Sequence, residues 1–176
     1  MGDGLARRVH QRAHLTGTFR LRSGATSDEY FDKYLFEADP ALLREVAEAM
    51  ASLLPPRYDA LAGLELGGVP VATMLAQVTG SPALFVRKRA KDYGTCRLAE
   101  GGDVDGRHVV VVEDVVTSGG QVVTSVGDLR RLGAVVTDAV CVIDREAGGR
   151  EALAEAGVAL RSLFTMAELR AAGAAP

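Results

Sequence analysis

Apolar residues along the chain gather in two kinds of pattern: short unbroken runs, and stripes recurring every three or four positions. Residues 58–64 form a run that leads into a helical stripe over 69–78, with Val71, Met74, Leu75 and Val78 on one face. Residues 83–86 read as the next strand. The run 108–112 lacks polar alternation, the mark of a strand buried on both faces. A helical pattern over 120–132 then stops at Gly133, a C-cap residue. Residues 135–143 form another strand, 150–156 a short helix closed by Gly157, and 158–164 a last strand, after which Thr165 caps a helix over 166–172. Strands and helices alternating at this spacing predict parallel pairing through right-handed crossovers. The expected fold is α/β, an open, doubly wound, mostly parallel sheet with ligands at the carboxyl ends of its strands.

The first 55 residues break this rhythm. Helical patterns over 5–15 and 40–54 flank a polar stretch, 16–39, in which the alternation from Thr18 through Phe19, Arg20 and Leu21 to Arg22 predicts a short strand or hairpin. Such a segment makes no core of its own. Residues 1–55 are therefore expected to form a small N-terminal hood over the sheet, within a single domain spanning 1–176. Residues 87–107 are polar and show no period. A loop of about 20 residues inside a compact domain is uncommon and usually functional.

Composition narrows the classes. A chain of 176 residues, 48% hydrophobic and 24% charged, buries a core without disulfide or metal, which excludes a disordered tail and a disulfide scaffold. A formal charge of −3 disfavours a broad nucleic-acid surface, which needs a basic excess. Cys96 and Cys141 are too far apart for a CxxC pair and are expected as free thiols of the cell interior. No apolar run approaches the ~20 residues of a membrane span, and the opening stretch has no apolar core of the secretory kind. A cytoplasmic protein with no membrane partner is expected.

The densest chemistry follows the run 109–112. Glu113 and Asp114 come next, then Val115, Val116, Thr117, Ser118 and Gly119, with Gly120 and Gln121 opening a helix. Gly119 and Gly120 let backbone N–H groups approach an anion, and the helix N-terminus favours a phosphate there. Thr117 and Ser118 add hydroxyl donors. Facing a phosphate, Glu113 and Asp114 would repel it; they suit sugar hydroxyls, or Mg²⁺ with its water shell. One turn thus complements a phosphorylated sugar, the plainer reading being an acidic strand end with a Ser/Thr cap. The chain has neither a G-x4-G-K-[ST] loop nor a G-x-G-x-x-G turn, so P-loop and dinucleotide sites are not expected. A second glycine turn, Glu65-Leu66-Gly67-Gly68, suits an anion or a plain helix entry equally. His10 and His14 have the i, i+4 spacing of a zinc helix, but Gln11 stands where the glutamate is needed. They are expected as exposed helix residues.

Residues 113–121 resemble the phosphoribosyl-pyrophosphate (PRPP) signature of type I phosphoribosyltransferases. Three segments narrow the resemblance to the orotate phosphoribosyltransferase family: Leu21-Arg22-Ser23-Gly24 with Ser27 and Tyr30, Arg87-Lys88-x-x-Lys91-Asp92-Tyr93-Gly94, and Asp144-Arg145. They occur in the family's order, from about residue 15 to about residue 165. The resemblance implies the type I phosphoribosyltransferase fold and a Mg²⁺-dependent transfer of phosphoribose from PRPP to orotate. The products are orotidine 5′-phosphate and diphosphate, a step of pyrimidine (UMP) biosynthesis.

The resemblance also implies roles. Lys91, Asp114, Arg87 and Lys88 are catalytic. PRPP is held by Arg22, Arg87, Lys88, Lys91 and Tyr93, and by Glu113, Asp114, Val115, Val116, Thr117, Ser118, Gly119, Gly120 and Gln121. Glu65, Leu66, Gly67 and Gly68 form the pyrophosphate loop. Thr117 and Arg145 bind orotate, Arg145 through its carboxylate, and Phe31 either stacks on the base or packs in the core. Mg²⁺ has no direct protein ligand and is held by substrate and water. Residues 87–107 form a mobile catalytic loop shared across a homodimer interface, its cations following the departing diphosphate.

The sequence departs from the family at Tyr93, where many members carry histidine, at Thr95-Cys96-Arg97, where glycines are usual, and at Gly67, where some carry lysine. Two other readings stay open. One is a phosphoribosyltransferase for a purine or another base. The other is a non-catalytic PRPP sensor, which would keep residues 113–121 and lose Arg87, Lys88 and Lys91.

Overall fold

The computed structural model describes residues 2–20, 24–90, 94 and 97–174. The chain opens with α1 (Gly2–Ala13), the strands β1 (His14–Arg20) and β2 (Thr26–Phe31), a short α2 (Tyr34–Glu37) and α3 (Pro40–Met50). The core follows as β3 (Ala60–Leu64), α4 (Gly68–Thr79), β4 (Ala83–Val86), β5 (Ala99–Glu100), β6 (His108–Val116) and α5 (Gly120–Arg131). It ends with β7 (Val135–Asp144), α6 (Gly149–Glu155), β8 (Ala159–Thr165) and α7 (Met166–Ala174).

The core sheet runs β5-β4-β3-β6-β7-β8, with the β4–β5 pair antiparallel and every other pair parallel. Helices α1, α3, α4 and α7 pack on one face through Val9, Val46, Leu75 and Leu169, and α5 and α6 on the other through Leu129 and Leu153. From β3 the chain crosses through α4 to β4 on one side. From β6 it crosses through α5 to β7 on the other. The winding therefore reverses between β3 and β6, and in open α/β sheets the crevice beyond the strand ends at that reversal is where ligands bind.

Local chemistry explains the elements. Asp39 accepts hydrogen bonds from the amides of Ala41 and Leu42, and Pro40 follows it at the first helical position of α3. Gly80 closes α4 at φ 74°. All five residues of β3 are buried, and a side chain at Gly63 would meet the carbonyl of Gly68 at 2.5 Å, so α4 lies unusually close on this strand.

Three expectations are refined. The strand expected over 108–112 continues to Val116, because Glu113, Val115 and Val116 still pair with Cys141, Ile143 and Asp144 of β7. The period-free stretch 87–107 contains β5, and the Arg87 amide donates to the carbonyl of Leu98 at 2.9 Å, closing the excursion into a hairpin. Within residues 1–55, only the β1–β2 hairpin forms a sheet of its own, while α1 and α3 bury Val9, Val46 and Met50 in the main core. Among the described residues, no helix is long and apolar enough to cross a membrane.

Candidate active site

Both glycine turns singled out in the sequence lie at the winding reversal, one after β3 and one after β6. The first, Glu65–Gly68, has a cis peptide between Glu65 and Leu66. A Cβ at Gly67 would sit 1.5 Å from Asp114 Oδ2, and one at Gly68 would sit 2.3 Å from the carbonyl of Val112. Only glycine allows this turn to press against β6. The turn also reaches the basic segment, since Glu65 Oε2 accepts from the backbone amide of Lys88 at 3.0 Å. Arg87 pairs with Glu100 of β5, Nε to Oε1 at 3.6 Å. Arg22, Lys91, Tyr93 and Cys96 lie outside the described residues.

Asp114 is the centre of the site and is 1% exposed. Its Oδ1 accepts from the Val115 amide at 2.5 Å, and its Oδ2 forms an ion pair with Lys33, from the segment between β2 and α2. Glu113 folds back so that its Oε2 accepts from the Asp114 amide at 3.1 Å. Glu37 of α2, 7% exposed, completes the group, and its Oε1 has no hydrogen-bond partner among the described residues. Burial first, and the neighbouring charge of Asp114 second, push the carboxyls of Glu37 and Glu113 far above the usual range. Burial pulls the Lys33 ammonium down, but Asp114 outweighs it and leaves the ammonium more firmly charged than usual. The cluster thus has one firm cation, Lys33, held on Asp114. Neither Lys33 nor Glu37 carries a sequence signal beyond an Asp-Lys-Tyr-Leu-Phe-Glu run, because their partners are remote in the chain.

Beyond β6, Thr117 and Ser118 stand in a bend, and Gly119 takes φ 76° as the N-cap of α5 with no side-chain cap. Hydroxyls and first-turn amides are therefore offered together at a helix N-terminus, an anion site. A Cβ at Gly119 would lie 2.7 Å from Leu153 Cδ1, and one at Gly149 would lie 2.5 Å from Val116 Cγ1 and 2.6 Å from the carbonyl of Thr117. The start of α6 therefore props the turn, a role for Gly149 that sequence reasoning missed. Gly120 has nothing within 4 Å of such a Cβ. Gln121 bonds within its own helix to Ser125, and Val116 is buried in the core beneath the turn.

Arg145 leaves β7 with its amide on the carbonyl of Val116 at 2.9 Å. The preceding Asp144, itself buried, accepts from the Glu146 amide at 2.9 Å and from Arg150 at 3.2 Å, which fixes the backbone on both sides of Arg145. Arg145, Thr117 and Val115 line a cavity of about 400 Å³ that is roofed by the hairpin, with Phe31, Lys33 and Tyr34 on its wall. Phe31 lines the cavity and also packs on the core, so both of its expected roles are open to it. His10 and His14 line the far end. His14 is the first residue of β1, and neither ring is fully exposed as expected. The rings stack 4.8 Å apart, and His14 Nε2 lies 3.0 Å from Glu29. Among the described residues, no group of three or more His, Cys, Asp or Glu could hold a metal ion.

A crevice at a sheet reversal that offers hydroxyls and helix N-terminal amides, with a guanidinium beside it, has the make-up of a phosphoribosyltransferase site. Comparison with known proteins agrees: the family model of the phosphoribosyl transferase domain matches residues 36–158. An orotate phosphoribosyltransferase of Nocardioides sp. is 56% identical over 168 residues, covering 96% of this chain and 94% of that protein. One of Halobacterium salinarum is 48% identical over 153 residues, covering 87% of each. Among solved structures, the Mycobacterium tuberculosis orotate phosphoribosyltransferase in complex with PRPP superposes with a TM-score of 0.82 at 30% identity, covering 96% of this chain and 98% of that one. The chain belongs to the orotate phosphoribosyltransferase family.

Proposed function

We propose that this protein transfers the phosphoribosyl group of PRPP to orotate, releasing orotidine 5′-phosphate and diphosphate, and that it does so in the cytoplasm as a step of pyrimidine nucleotide synthesis. The observation that carries the reading is the meeting of two glycine turns on Asp114 at the sheet reversal, opening onto a cavity that holds Arg145 and Thr117. A ring nitrogen of orotate, its N–H proton given up to water, attacks the anomeric carbon, the bond from that carbon to the diphosphate oxygen breaks, and the electron pair leaves with diphosphate. The ribose passes through an oxocarbenium-like state. The protein therefore contributes position and charge rather than covalent chemistry. Asp114 and Glu113 take the ribose hydroxyls, and Asp114 stabilises the developing positive charge. Thr117, Ser118 and the amides of Gly119, Gly120 and Gln121 hold the 5′-phosphate. Arg145 orients the orotate carboxylate. Arg87, Lys88 and Lys91 neutralise the leaving diphosphate, with Lys91 contributed across a homodimer interface.

Mg²⁺ fits this site as an ion carried by substrate. The carboxylates at the end of β6 are hard oxygen donors, but in the substrate complex both serve the ribose hydroxyls, which would leave the diphosphate and water as ligands. Bound there, the ion offsets charge on the diphosphate.

The test is pyrophosphate release from PRPP and Mg²⁺ with each candidate base in turn. Release with orotate, and none with adenine or hypoxanthine, is expected. Release with a purine alone would reassign the base, and PRPP binding without release for any base would make the chain a sensor. Lys91→Ala is expected to lower turnover by about 100-fold or more while changing ground-state PRPP affinity far less.

A further inference from the structure

We propose that Lys33 is a further catalytic residue, a cation that leaves Asp114 for the diphosphate of PRPP when substrate enters; the proposal rests on the transferase reading above. The Glu65–Gly68 turn that faces the diphosphate carries a carboxylate and no cation of its own. Its Gly67 backbone lies against Asp114 Oδ2, and the Lys33 ammonium is bound to that same oxygen. The ammonium therefore stands at the mouth of the pyrophosphate turn, delivered from the far wall of the crevice. Its side chain is 31% exposed and lines the cavity that holds Thr117 and Arg145, so it opens toward substrate. The ammonium also lies 5.2 Å from the centre of the Tyr34 ring, which borders the same cavity and offers a weak second hold as it moves.

The exchange is balanced in charge. A ribose hydroxyl that reaches Asp114 Oδ2 competes there with Lys33 in the space left by Gly67, and a diphosphate is the more highly charged partner for a flexible ammonium. Lys33 passing to the diphosphate frees Asp114 for the sugar, so the two halves of PRPP are recognised together. A lysine that served only to neutralise a buried acid would stay on Asp114, and its removal from a protein that already carries Asp114→Asn would not weaken binding of diphosphate alone.

The readout is binding of inorganic pyrophosphate with Mg²⁺, by calorimetry on the full chain, which needs no turnover and so is independent of the base. Lys33→Met is expected to weaken it by about tenfold or more, with Lys33→Arg recovering most of the loss. A folded Lys33→Met protein that binds pyrophosphate as tightly as wild type, or more tightly, overturns the proposal. Asp114 left unpaired threatens folding, so the pair Asp114→Asn and Lys33→Met/Asp114→Asn supplies the same comparison without the buried charge. The double variant is expected to bind about tenfold more weakly than Asp114→Asn alone, and equal binding overturns the proposal. Wild-type protein that binds pyrophosphate but releases none with orotate sinks the transferase reading instead, and the Lys33 comparison still decides its own question.

Discussion

At the scale of single residues, Glu37 is a buried carboxyl whose Oε1 has no hydrogen-bond partner among the described residues, beside the charge of Asp114. Its carboxyl is held up to about 9, by burial first and by Asp114 next. In the unfolded chain it ionises near the ordinary value of 4.5. Between those two pH values the folded state binds the extra proton, so stability is fully present at low pH and is lost as pH rises toward the folded value. Glu37→Gln removes the ionisation while keeping the shape. Its melting temperature is expected to gain on wild type steadily from pH 5 to pH 9, while the two proteins lie close at pH 4. A difference between the two that does not change with pH would show that Glu37 ionises in the fold as freely as in water. Glu113, raised for the same causes in the same order, contributes in the same sense, so the wild-type protein is expected to lose stability toward alkaline pH.

At the scale of elements, the β6–α5 turn separates glycines needed by the fold from glycines needed by the ligand. Gly119→Ala places a side chain at φ 76° and 2.7 Å from Leu153, and is expected to cost about 2 kcal/mol or more of stability. Gly120→Ala meets nothing within 4 Å and lies in the first turn of a helix, where alanine is the better helix former. Its melting temperature is expected to match or exceed that of wild type while PRPP affinity falls, because the proposed function puts the 5′-phosphate in the open space beside Gly120. Unchanged PRPP affinity would show that the phosphate does not approach Gly120. The alternation of runs and stripes made most of these elements legible in the sequence, since buried parallel strands are apolar throughout and their helices show one apolar face. The carboxylates were read as the end of β6 because they break its apolar run, although the ladder to β7 continues beneath them. The two residues of β5 are too few to show a period. The turn 113–121 was legible because one contiguous stretch supplies it. Lys33, Glu37 and Gly149 were not, because each matters only through a partner that folding brings to it.

At the scale of the whole molecule, the question is which chain completes which site. The segment between β4 and β5, in whose sequence Lys91 falls, is rooted at the Glu65–Gly68 turn of its own chain, with the Lys88 amide on Glu65 and the Arg87 amide on Leu98. A root at that position is compatible with a loop that closes over its own crevice or one that reaches a neighbour's, and mixing inactive subunits separates the two. Lys91→Ala leaves Asp114 intact, and Asp114→Asn leaves Lys91 intact. If the loop serves its own chain, every subunit in the mixture is defective and no activity returns. If it serves the partner, each mixed dimer contains one site with both groups and one with neither. Random exchange at equal concentrations makes half the dimers mixed, so recovery of about a quarter of the wild-type rate is expected. Exchange must be established separately, by mass spectrometry of differently tagged subunits, so that failure to recover activity has a single meaning. With exchange confirmed and the rate still at the level of the single variants, the loop acts on its own chain, and the shared-site arrangement is wrong.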